Sequence, residues 1–229
     1  MNKTSIKALY FDLDHTLWDF ETNSAEAFRT LFKEFDIQLH LDSFLAVYIP
    51  NNTLFWKRYR EGQIDKETLR YQRLKTVFDA LDYPASDALI DEVADAYIQT
   101  LPQYNKLFDG AKEILQALKP HYALHIITNG FKDVQQFIIR NSGLFPFFDT
   151  ITDSSSVGKK KPDPDIFTHA LKLGQVAPHE AVMIGDSLEA DIEGAIKVGM
   201  HAVHFMPIEK KSPNHYTEID HLKQLSFLL

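Results

Sequence analysis

The chain has 229 residues, 45% hydrophobic and 24% charged, which suffices for one globular core and a smaller second unit. A formal net charge of -8 and a pI near 5.6 argue against a nucleic-acid binder, which needs clustered Lys and Arg, yet a few focused cations can still hold a small anion. With no cysteine, disulfides, thiolate nucleophiles and Cys-type zinc sites are excluded together, so any metal must be held by oxygen or His.

The first predicted strand is the run IKALYF at residues 6–11, which ends at Asp12. Asp12 and Asp14 break that apolar run too early for a signal-peptide core. No other stretch approaches the ~20 apolar residues of a membrane helix. A soluble, cytoplasmic protein is therefore expected.

From about 19 to 105 no strand signal appears, and apolar residues recur at helical spacing. They are Ala27, Leu31, Phe32 and Phe35, then Leu54, Phe55 and Tyr59, then Leu69, Leu74, Val77 and Phe78. The segment far exceeds the handful of residues in an ordinary strand-to-helix loop, which predicts a helical cap.

Beyond it, Ala111, Ile114, Leu115 and Leu118 mark a helix, 123–127 a strand, Phe137 and Ile138 a helix face, and 150–152 a strand. Asp163 and Pro164 supply an N-cap and a first helical residue before Ile166, Phe167, Ala170 and Leu171. A strand at 181–184 leads to a helix at about 188–198, with Asp186 or Ser187 as its cap and Gly199 at its end. A last strand at 202–205 precedes a loop at 207–217, marked by Lys210, Lys211, Pro213 and Asn214, and a short closing segment. Strand and helix alternate outside the insertion. The expected fold is α/β, a doubly wound parallel sheet formed by 1–18 and 106–229, with 19–105 inserted as the cap.

Asp12-Leu13-Asp14-His15-Thr16-Leu17 follows the first strand directly. Ligands of α/β sheets bind at the carboxyl ends of strands, so both carboxylates should reach a cleft. There Asp12 can attack while Asp14 donates and recovers a proton. Alone, the pattern is more often a turn or a weak cation site. Three further segments add to it. Thr128-Asn129-Gly130 ends the second strand with donors for phosphate oxygens, or forms a plain turn. Gly158 to Pro164 carries Lys159, Lys160 and Lys161, of which one can neutralise a phosphate and an attacking carboxylate and the others read as solvated. Gly185-Asp186-Ser187 and Asp191 offer hard oxygen ligands suited to magnesium, although Asp191 is also a favoured charge near a helix start.

In this order, DLDHTL, TNG, GKKKP and GDSLEAD resemble the four motifs of the haloacid dehalogenase-like superfamily, in register over the whole chain, with the helical insertion at that superfamily's type 1 cap position. The resemblance implies a Rossmann-like core and a magnesium-dependent phosphatase that passes through an aspartyl-phosphate. By the same resemblance Asp12 is the nucleophile and Asp14 the acid and base. Thr128, Asn129 and Lys161 contact the phosphate. Asp12, the Asp14 backbone carbonyl and Asp186 hold Mg2+, with Asp191 nearby. Thr16 orients the loop or bonds Asp14, or is structural.

An acid at Asp14 favours a phosphatase over a dehalogenase, since halide needs no proton to leave. A phosphonatase would need an imine-forming cap lysine such as Lys57 or Lys66, and nothing marks either as desolvated. Within the superfamily, Trp18-Asp19-Phe20, Phe55-Trp56 with Tyr59, and Ile127 to Phe131 with Gln135 resemble the YjjG/YfnB-type bacterial 5'-nucleotidases, with Phe55 where that branch usually has Leu. That branch implies a pyrimidine or deoxyribonucleoside monophosphate as substrate, while the net charge and the lack of a long apolar stretch leave neither a nucleic-acid polymer nor a membrane as an expected partner. Trp18, Phe20, Trp56 and Phe131 are candidates to stack on a base, or core residues. Arg58, Arg60, Arg70 and Arg73 are candidates to contact substrate, or, as is commoner on cap helices, solvated surface. Phosphoglycolate or sugar-phosphate hydrolysis shares the four motifs, and a non-catalytic ligand-binding protein is the alternative of another class.

Overall fold

Four consecutive residues, Ala8–Phe11, are fully buried and form β1, a strand apolar on both faces as the interior of a parallel sheet requires. In the computed structural model, residues 5–207 and 216–229 are described. The chain divides into two compact units, one running to Phe20 and resuming at Asn105, the other Glu21–Tyr104.

The first unit is built on β1, β2 (Ala123–Thr128), β3 (Thr150–Asp153), β4 (Ala181–Gly185), β5 (His201–Phe205) and β6 (Thr217–Ile219). They form one sheet in the order β3-β2-β1-β4-β5-β6, and every pairing is parallel. The expected doubly wound sheet is thus observed. β6 is a strand that the sequence showed only as part of a closing segment. The residues from Ile208 to His215, including Lys210, Lys211, Pro213 and Asn214 of the expected loop, lie outside the described residues.

Alternation along the strands sorts their side chains to the two faces. On one face Ala8 and Tyr10 of β1 and Ala181 and Met183 of β4 meet Ile166, Phe167, Ala170 and Leu171 of α8 (Pro164–Gly174). Each such large apolar side chain contributes roughly 1.5–3 kcal/mol on burial. α8 starts as expected: Asp163 accepts from the Asp165 N–H at 3.0 Å, and Pro164 takes the first helical position. On α6 (Lys132–Asn141) the core residues are Ile138 and Ile139, whereas Phe137 is 61% exposed, contrary to the expected face.

The second unit is built of α1 (Phe20–Glu34), whose first residue belongs to the first unit, α2 (Leu41–Arg60), α3 (Lys66–Ala80) and α4 (Asp87–Thr100). Asp65 caps α3 by accepting from Thr68 N–H at 2.8 Å, and Ser86 caps α4 through Leu89 N–H at 3.2 Å. Its core is aromatic. Phe28 lies 4.8 Å from Phe44 and 4.6 Å from both Tyr48 and Tyr97, ring centre to ring centre. Leu54 is exposed and Phe35 half-buried, so neither belongs to that core as expected. Arg73 corrects the reading of the arginines as solvated: it is 4% exposed, donates to Asn52 Oδ1 at 3.0 Å, and lies over the Tyr97 ring at 5.1 Å. Among the described residues no helix is long and apolar enough to cross a membrane.

Candidate active site

Sheet register assembles the site. Phe11 pairs with Ile126 on one side and Ile184 on the other, so Asp12, Ile127 and Gly185 come next at the carboxyl edge. Strand order reverses here, β2 lying to one side of β1 and β4 to the other, which is the topological switch point where α/β sheets bind ligands. Asp12 N–H still donates to Ile184 O at 2.9 Å, and the chain then turns sharply. Leu13 O accepts from the N–H groups of Leu17 at 3.0 Å and Trp18 at 2.9 Å, and His15 takes a left-handed φ of 62°. Such a φ costs a non-glycine residue roughly 1–2 kcal/mol. Fully buried Leu13, Leu17 and Trp18 anchor the turn.

Lys161 lies at the centre, 2% exposed. Its Nζ donates to Asp12 Oδ1 at 2.6 Å and to Ile127 O at 2.7 Å, and pairs with Asp191 Oδ1 at 2.6 Å. Two of these contacts are hydrogen bonds and the third is a close ion pair. The lysine is placed by Asn129, whose amide donates to Lys161 O at 2.9 Å and accepts from Lys161 N–H at 2.7 Å. Lys159 pairs with Asp163 at 3.1 Å at the surface.

Asp186 follows β4. Its Oδ1 accepts from Thr16 at 3.3 Å, so the buried Thr16 hydroxyl serves Asp186 and not Asp14. Asp191 sits on a π-helical turn, Leu188–Glu193, in which Ser187 O accepts from both Asp191 and Ile192 N–H. Ser187, not Asp186, caps that turn. Asp191 Oδ2 accepts from Ser187 N–H at 3.0 Å, and a Cβ at Gly185 would stand 2.3 Å from this oxygen. Only glycine leaves room for the carboxylate.

Asp12, Asp186 and Asp191 each present an oxygen within 4.8 Å of the others. Asp14 lies close enough to interact with both Asp12 and Asp186. Burial raises the carboxyls of Asp12 and Asp191 above the ordinary range, with Lys161 the main counterweight, and burial also raises Asp14 and Asp186. Burial pulls the Lys161 ammonium down, but Asp12 and Asp191 more than offset it and hold its pKa above the usual lysine value. One buried cation faces two buried carboxyls, Asp12 and Asp191, and two half-buried ones, Asp14 and Asp186, so carboxylates outnumber the cation. All-oxygen donors with uncompensated charge fit a divalent cation such as Mg2+.

Thr128 and Asn129, expected at the phosphate, both have internal partners. Thr128 accepts from Gly130 N–H and donates to Gln135 Oε1, both at 3.0 Å, while Asn129 clamps the Lys161 backbone. Of the aromatic candidates, Trp18 is fully buried and presents no open ring face. Phe20 and Phe131 are half-buried in the first unit, and Trp56 is half-buried in the second, 5.7 Å from Tyr59. Lys57 and Lys66 are exposed, unlike an imine-forming lysine.

Two residues that touch the site have no chemical role in the sequence reading, Gln135 being named there only for its resemblance and His204 not at all. Gln135 donates to Asp14 Oδ2 at 3.0 Å, and the buried His204 ring is 2.8 Å from Asp186 O. The pairing of His204 with Gly185 across β5 and β4 explains the second contact, and only strand register could have revealed it.

A family model of haloacid dehalogenase-like hydrolases matches residues 6–199. The chain belongs to this family. Among relatives of this haloacid dehalogenase-like hydrolase, YfnB of Bacillus subtilis is 32% identical over 88% of this chain and 84% of its own. The pyrimidine 5'-nucleotidase PynA of Streptococcus pneumoniae is 32% identical, again covering 88% of this chain and 84% of its own. The pyrimidine 5'-nucleotidase YjjG of Escherichia coli is 28% identical over 84% of this chain and 82% of its own. A crystal structure of YfnB bound to magnesium superposes with a TM-score of 0.88 over 98% of both chains.

Proposed function

We propose that this hydrolase is a magnesium-dependent phosphomonoesterase that works through an aspartyl-phosphate on Asp12. The observation that carries the reading is the buried contact of Lys161 Nζ with Asp12 Oδ1 at 2.6 Å, beside the oxygens of Asp186 and Asp191. Lys161 holds Asp12 ionised and aimed, which is what a carboxylate nucleophile needs. Phosphoryl transfer asks the protein chiefly for alignment and charge compensation.

Asp12 attacks phosphorus as the bond to the leaving oxygen breaks, and Asp14 gives that oxygen its proton. In the second half Asp14 takes a proton from water as the water attacks phosphorus and frees Asp12. Asp12 and Asp186, with the Asp14 carbonyl, are the groups that would hold Mg2+. When bound, the ion supplies positive charge against the phosphoryl oxygens. Asp191 keeps Lys161 in place from its far side.

For substrate we infer a nucleoside 5'-monophosphate, of pyrimidine or deoxyribonucleotide type, supported by the names of the relatives PynA and YjjG. The missing cysteines accord with a reducing compartment, and we place the enzyme in the cytoplasm. The test is phosphate release from nucleoside monophosphates, sugar phosphates and phosphoglycolate, with Mg2+ and with chelator. Release preferring nucleotides and lost with chelator is expected. Release only from a sugar phosphate or phosphoglycolate would overturn the substrate assignment, and none from any of them would overturn the phosphatase reading.

A further inference from the structure

We propose that Gln135 is a positioning residue for Asp14, fixing which of its oxygens carries the proton given to the leaving group; this rests on the phosphatase reading above. Gln135 lies on α6, 3% exposed, with both ends of its amide engaged. Its Nε2 donates to Asp14 Oδ2 at 3.0 Å, and its Oε1 accepts from the Thr128 hydroxyl at 3.0 Å. The hydroxyl is itself anchored, since it accepts from Gly130 N–H at 3.0 Å. The relay runs from a backbone amide of the TNG segment through Thr128 and Gln135 to the carboxyl of Asp14.

Its direction has a chemical consequence. An amide NH2 only donates, so Asp14 Oδ2 is held as an acceptor and a proton on Asp14 resides on Oδ1. The reversed amide would set two acceptor oxygens against each other whenever Asp14 is ionised. Asp14 Oδ1 is buried and has no hydrogen-bond partner among the described residues, so none of them competes for its proton. It gives its proton to the leaving oxygen as that oxygen's bond to phosphorus breaks and the Asp12 bond forms. It regains one from water as the new oxygen–phosphorus bond forms and the Asp12 bond breaks.

An independent observation supports a site built around this amide. A Cβ at Gly130 would come within 2.4 Å of both Gln135 Cδ and Nε2. The third residue of the TNG segment is thus a glycine that admits Gln135.

The test compares kcat/KM of the wild type, Q135M and Q135E on aryl and alkyl phosphomonoesters whose leaving groups range from acidic phenols to alcohols. This parameter reports the steps up to phosphoryl transfer to Asp12. Methionine keeps the shape and removes the donor, and glutamate replaces the donor by an acceptor. Both variants should lose about 10-fold or more on alcohol leaving groups, where protonation matters, and stay within about threefold of wild type on p-nitrophenyl phosphate, which leaves unprotonated. An equal loss on every leaving group would make Gln135 merely structural and overturn the proposal, as would unchanged rates throughout. A wild type inert toward the whole series would remove the phosphatase reading, and this proposal with it. Circular dichroism melts check folding, and Q135E carries the comparison if Q135M fails to fold.

Discussion

Replacing Lys161 by methionine tests the electrostatics of the site without testing turnover. Lys161 Nζ lies 2.6 Å from both Asp12 Oδ1 and Asp191 Oδ1, and all three side chains are nearly closed to solvent. Methionine fills similar volume but removes the charge. Breaking a buried ion pair from one side costs about 3–5 kcal/mol, because the remaining charge stays buried and unpaired. At roughly 2–4 °C per kcal/mol for a chain of this size, the melting temperature should fall by about 6–20 °C at pH 8 in chelator.

The deficit should also depend on pH with a definite sign. Burial already raises the folded pKa of Asp12 and Asp191, and Lys161 is the main influence pulling them down. Without it they rise further above the unfolded value of about 3.9. A carboxyl whose folded pKa exceeds its unfolded one binds more protons folded, so stability falls as pH rises through that interval. The difference between K161M and wild type should therefore be largest at pH 8 and shrink toward pH 5. Thermal melts by circular dichroism at both values read it directly. Equal melting of the two proteins at pH 8, or a deficit unchanged by pH, would refute the reasoning.

Asp14→Asn should lower phosphate release by roughly 10²–10⁴-fold through the lost proton transfer, and an undiminished rate would remove Asp14 from that role. Gly185→Ala places a Cβ against the Asp191 carboxylate and should cost about 1–3 kcal/mol by overpacking, measured as a lower melting temperature; an unchanged melt would contradict the contact. Excess Mg2+ at about 100 times its Kd should stabilise the chelator-treated protein by about 2.7 kcal/mol. Stabilisation should be much smaller for Asp186→Asn, and an equal effect on both would place the ion elsewhere.

The sheet was legible where physics is local. β1 and β4 are buried on both faces and show it as unbroken apolar runs, and Asp163-Pro164 announces the start of α8 by capping chemistry alone. β6 has three residues, and it becomes a strand only by pairing with Val203, His204 and Phe205. Phe137 shares helical spacing with core residues yet faces outward, because single pairs do not fix the phase of a helix. Asp12, Lys161 and Asp186 could be singled out since each follows a strand or precedes a helix in a recognisable motif. The partners of Thr128 and Asn129 could not, because they depend on Gln135 and on the Lys161 backbone, which folding brings in from elsewhere. The same holds for Arg73, whose burial among Asn52 and Tyr97 follows from helix packing and not from its own position in the sequence.

The most direct test of the central claim is an acid-quenched single turnover followed by peptide mass spectrometry. The peptide containing Asp12 should carry one phosphoryl group, and Asp12→Asn should show neither that adduct nor phosphate release. Phosphate release with no adduct on this peptide, together with a near-normal rate in Asp12→Asn, would contradict Asp12 as the nucleophile.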